Sequence, residues 1–81
     1  QDQRMALLEW LAGPIPQWPQ PGIVLSWLRE DSGIALVRLE AWAMELPAQI
    51  DAGCGLGDQL VIQLERADPA SDLLRLKGTA G

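Results

Sequence analysis

The sequence predicts an all-β domain, a five-stranded Greek-key barrel preceded by one N-terminal α-helix, and three observations carry that prediction. Leu60, Ile62 and Leu64 fall at every second residue, and Leu74 and Leu76 repeat the period after a polar turn, as two half-buried strands of a hairpin require. Residues 23–29 and 34–40 read as a second hairpin around Glu30-Asp31-Ser32-Gly33, whose small and conformationally permissive residues suit a tight reversal. Eighty-one residues, 48% of them hydrophobic, are enough for one core and too few for two.

Taken in order, residues 3–11 form the one helical pattern. Met5, Leu8 and Leu11 fall on one side, Ala6, Leu7 and Trp10 broaden the apolar stripe, Asp2 stands at the N-cap, and Gly13-Pro14 ends the segment. Such an apolar helix is expected to pack on the barrel or on another domain. Residues 13–22 hold four prolines in ten residues, so neither a helix nor a central strand is sustained there and an extended linker follows. Pro16 and Pro19 stand in the P-x-x-P spacing of a proline-rich ligand, although a semi-rigid connector accounts for the same residues.

In the first hairpin Ala35, Val37 and Leu39 are assigned to the core, because the opposite face carries Arg38. Met44, Leu46, Ala48 and Ile50 alternate as a third strand, which Pro47 restricts to an edge or a bend. Residues 51–57 are a Gly/Ala-rich loop. Residues 67–72 are turn chemistry, with Pro69 holding Asp68 away from helix, and residues 74–77 close the sheet. The domain division expected is a helix over residues 1–12, a linker over 13–22 and a barrel over 23–78.

Charge and side-chain inventory exclude several chemistries. Six Lys+Arg against eleven Asp+Glu give a net charge of −5, which opposes strong non-specific attraction to phosphate. With one cysteine, Cys54, and no histidine, the chain has no internal disulfide, no thiol–imidazole catalyst and no ordinary zinc site, so no cofactor or metal is expected. The acids are scattered over turns without a nucleophile–base pairing, and no Walker-type loop is present, which argues against an independent hydrolase. Lys77, the one lysine, lies near the chain end, where a biotin or lipoyl carrier would not present it. No window is apolar enough to span a membrane and Gln1 opens no signal pattern, so a cytoplasmic protein without membrane contact is expected. A start without Met is expected of a fragment or a processed product.

The ordered set Gly22-Ile23-Val24, then residues 33–39 (Gly-Ile-Ala-Leu-Val-Arg-Leu), then Gly57-Asp58-Gln59-Leu60-Val61-Ile62, Asp68 and Leu74-Arg75-Leu76-Lys77 resembles the S-one type of oligonucleotide-binding (OB) barrel over residues 22–78. Residues 3–11 look like the helix that ends the catalytic domain of the ribonuclease II and ribonuclease R exoribonucleases, just before their C-terminal barrel. The resemblance implies an accessory module that helps hold single-stranded RNA for a catalytic domain whose aspartate cluster and magnesium site have no counterpart here. Family members that bind RNA well carry an aromatic and basic residues on strand two; this chain has Leu36 there and no Phe or Tyr. Weak binding of single-stranded RNA is therefore expected, with Trp27 as the stacking candidate and Arg29, Arg38, Arg75 and Lys77 gathered on one wall as the phosphate contacts. The alternative is a barrel without RNA affinity that uses Trp42 and Met44 to meet a protein partner or a parent catalytic domain.

Overall fold

A computed structural model describes residues 2–80, with the side chains of residues 6–80. Helix α1 (Asp2–Ala12) is followed by strands β1 (Gln20–Arg29), β2 (Ile34–Leu39), β3 (Met44–Ile50), β4 (Gln59–Asp68) and β5 (Leu73–Ala80). The strands close into a barrel in the order β1-β2-β3-β5-β4. β1, β2 and β3 form an antiparallel meander, β4 and β5 a hairpin, and β5 returns to lie parallel to β3. This is the Greek-key barrel that the alternating aliphatic residues predict.

Alternation explains the core. Ala35, Val37 and Leu39 of β2, Leu46, Ala48 and Ile50 of β3, Leu60 and Ile62 of β4 and Leu76 of β5 are all buried in one cluster, each two residues from the next on its strand. Leu11 of α1 joins that cluster, and Leu8 is also fully buried. The helix thus packs on the barrel, across β4 and the turn that follows it. Ala6 is exposed, so the apolar stripe is narrower than the sequence implied. The N-cap expected of Asp2 and the core position expected of Met5 lie outside the described side chains.

Two glycines let the barrel close. A Cβ on Gly22 would stand 2.8 Å from Cγ1 of Ile62 and 3.2 Å from the Arg38 carbonyl oxygen, and one on Gly78 would stand 2.9 Å from Cδ1 of Leu60 and 3.0 Å from Cδ1 of Ile62. β1 and β5 therefore approach β4 from its two sides only because neither carries a side chain there. Burying the fully enclosed Ile62 contributes about 1.5–3 kcal/mol.

Element limits differ from expectation in three places. β1 starts at Gln20, so Pro21 pairs with Val61 of β4; Pro21 precedes the β2 ladder, which starts at Gly22, and so lacks a strand on that side. β4 runs on through Ala67 and Asp68, which pair with Leu74 and Leu73, leaving Pro69–Ser71 as a 3-10 turn. β5 continues past Lys77 to Ala80, because Gly78 and Ala80 are small enough to sit opposite Ile62 and Leu60. Pro47 lies inside β3 opposite Leu36, and β3 meets β5 only at Gln49 and Ile50, so no β5 partner is required of it.

Candidate nucleic-acid interface

Three irregularities decide where the candidate side chains point: two in β1, the later of which leaves Leu28 as an extra residue and sets Arg29 opposite Ile34, and one in β4. In β1 the ladder passes from Val24↔Val37 to Ser26↔Leu36, so Leu25 is an extra residue and Trp27 falls opposite Ala35. Ala35 is fully buried and faces the core, and Trp27 shares that side. Unbroken alternation from Val24 would have turned Trp27 outward, onto the wall that the sequence reading gave it. Its ring is instead partly buried against the core at the mouth of the barrel. That mouth is a hollow of about 500 Å³ whose rim includes Trp27, Glu30, Asp31, Ile50, Asp51 and Cys54. Three carboxylates on the rim make it a poor neighbourhood for phosphate.

The irregularity in β4 comes next. Leu64↔Leu76 is followed by Arg66↔Arg75, leaving Glu65 as the extra residue. Period-two counting from Leu60, Ile62 and Leu64 would point Arg66 at the core; the bulge turns it outward, directly across from Arg75, and both are exposed. Lys77 follows Arg75 on the same outer face, roughly 7 Å along the strand. It is flanked by Gln63 of β4 and Gln49 of β3.

The four expected cations do not gather in one place. Arg75 and Lys77 stand together on β5, joined by Arg66, which the sequence reading missed. The signal for it was the charged pair Glu65-Arg66 interrupting an aliphatic alternation. Arg29 pairs with Ile34 beside the first turn, and Arg38 pairs with Ile23 toward the far end of the same ladder. Four residues of β2 separate Ile34 from Arg38, roughly 13 Å. Across β3, Arg38 faces Glu45. Arg29 is linked to the β5 cations through one row, Arg29–Ile34–Gln49–Lys77, three strand steps or roughly 14 Å wide.

Beside this row β3 and β5 diverge. The gap is a cleft of about 260 Å³, walled by Ile34, Pro47 and Gln49 on one side and Leu74, Arg75 and Leu76 on the other. It combines apolar side chains with a guanidinium at its edge.

The opposite end is closed. Trp42 holds Trp10 and Trp18 edge-to-face, with ring centroids 5.0 and 5.5 Å away. Trp42 and Met44, the expected protein contacts, are both partly buried against the core. Pro16 is buried in the same connecting segment, so its P-x-x-P pattern is not displayed. Among the described residues no helix is long and apolar enough to cross a membrane.

Comparison with known proteins gives one informative match. No family model matches the chain, and no solved structure matches it. Over 77 residues, 95% of its length, the chain is 39% identical to a protein of Synechocystis sp. whose name is "Uncharacterized ribonuclease". The chain spans 11% of that protein's length. A match of that width takes in most of α1 and most of the barrel, and the chain is thus similar to a small part of a ribonuclease-named protein.

Proposed function

We propose that this chain is an accessory RNA-binding module, resembling the C-terminal S-one type barrel of ribonuclease II and ribonuclease R exoribonucleases, that helps hold single-stranded RNA for a catalytic domain elsewhere in a parent protein. The observation that carries the proposal is the 39% identity over nearly the full chain to a ribonuclease-named protein, in a chain that folds as a five-stranded barrel of OB strand order. The division into helix, linker and barrel belongs to this proposal: residues 1–12, whose helix packs on the barrel, would end the preceding domain, and the linker expected over residues 13–22 would join it to the barrel, its last three residues, Gln20–Gly22, already paired within β1.

The module holds; it does not cut. Arg75 and Lys77 give charge-assisted contacts to phosphate oxygens beside the β3/β5 cleft, and Arg29 extends the same row. Arg38, opposite Glu45, contributes less. Trp27, partly buried at the mouth beyond Gln49, which borders both the mouth and the cleft, is the stacking candidate for one base. A net charge of −5 keeps the affinity low, and the few phosphate contacts keep its salt dependence shallow, at roughly 0.7 in log–log slope per contact.

Fluorescence anisotropy of a labelled oligouridylate at low salt tests this. Saturable binding is expected that weakens several-fold or more in Trp27→Ala, verified as folded by circular dichroism, since stacking on one base is worth about 1–3 kcal/mol. No binding at any accessible concentration would refute the RNA reading and leave the protein-contact role of Trp42 and Met44.

A further inference from the structure

We infer that the outer face of the β4–β5 hairpin is an anion track for the phosphodiester backbone, formed by Arg66, Arg75 and Lys77. This rests on the RNA reading and deepens it, by adding Arg66 and by fixing the wall along which the strand runs. The argument starts from an energetic oddity. Two like charges directly opposite on neighbouring strands destabilise a sheet, yet Arg66 and Arg75 occupy one such pair, and the Glu65 bulge is what turns Arg66 to that side. A phosphate between the two guanidiniums converts the repulsion into two charge-assisted interactions.

Asp68 neutralises the pair only in part. Asp68 accepts a hydrogen bond from the Ala70 backbone N–H at 3.1 Å, and its other oxygen lies 3.8 Å from Arg66 Nη2, beyond hydrogen-bond reach. Arg66 is 63% exposed, so that ion pair holds it weakly. Glu65, the bulged residue, is exposed beside them. Lys77 extends the cations toward Gln49 and the cleft, giving a strand a continuous course from the hairpin to the cleft's apolar side chains. The acidic rim at Glu30, Asp31 and Asp51 repels phosphate from the other end and orients that course.

The test compares intact protein with Arg66→Gln/Arg75→Gln and with Arg29→Gln/Arg38→Gln, titrating oligouridylate across a salt series. Circular dichroism of each variant verifies folding. The expected result is a loss of at least roughly ten-fold in affinity for the first double variant, and a log–log salt slope shallower by about 1.4, or 0.7 per lost contact. The second double variant is expected to change affinity less. If wild type binds and the Arg66/Arg75 variant binds equally well with an unchanged slope, the track is overturned while the RNA reading stands. If wild type fails to bind, both fall together.

Discussion

In the β1–β2 and β4–β5 hairpins alike, a ten-residue strand runs into a three-residue 3-10 turn closed by a left-handed residue, Gly33 at φ 70° or Asp72 at φ 52°. Both first strands are also bulged, β1 at Leu25 and again at Leu28 and β4 once at Glu65, which shifts the side chains that face out. The consequences are opposite. In the first hairpin the bulge at Leu25 turns the aromatic Trp27 toward the core, beside acidic loops; in the second, the bulge at Glu65 turns Arg66 out to join Arg75 and Lys77. Similar backbone architecture therefore yields an enclosed mouth on one side and a cationic wall on the other. One inserted residue, more than side-chain composition, decides which of them meets a ligand.

Three substitutions probe that contrast, in order of expected effect. Trp27→Lys should lower the unfolding free energy by about 3 kcal/mol in urea titration, because it replaces a ring packed against the core with a charge. A loss under about 0.5 kcal/mol would mean that Trp27 faces solvent. Gly33→Asp imports the residue that the second turn uses at the matching place, and should cost about 1–2 kcal/mol. Its new Cβ would stand 3.3 Å from the Ile50 carbonyl oxygen, whereas the matching residue of the second hairpin is already an aspartate. An unchanged midpoint would make the two turns equivalent. Arg66→Gln should leave stability within about 0.5 kcal/mol of wild type, or raise it slightly at low salt as the like-charge pair is relieved. A clear loss would instead make Arg66 a structural residue.

Much of the fold was legible because alternation reports burial directly. Ala35, Val37 and Leu39 were assigned to the core from the single fact that Arg38 stood opposite, and β3 was bounded at Met44–Ile50 although it contains a proline. The mouth was not legible, because the bulge at Leu25 leaves no mark in composition, and the wall only faintly, where Glu65-Arg66 breaks the aliphatic alternation; parity counted across either bulge comes out inverted. That inversion hid Trp27 and concealed Arg66. The ends of β1 and β5 escaped for a different reason: Pro21 lacks a donor, and Gly78 lacks a side chain, so neither scores as strand until Ile62 is seen pressing against Gly22 and Gly78. The tryptophan cluster around Trp42 joins the helix, the connecting segment and the β2–β3 loop, and no local pattern announces a contact between segments so distant in sequence.

The wall's role as the RNA-facing surface is tested most directly by following backbone amide chemical shifts as oligouridylate is added at low salt. The account predicts the largest changes at Arg66, Arg75, Lys77 and Gln49, fading toward Trp42 and α1. Shifts concentrated around Trp42 and Met44, with the β4–β5 hairpin unmoved, would contradict it.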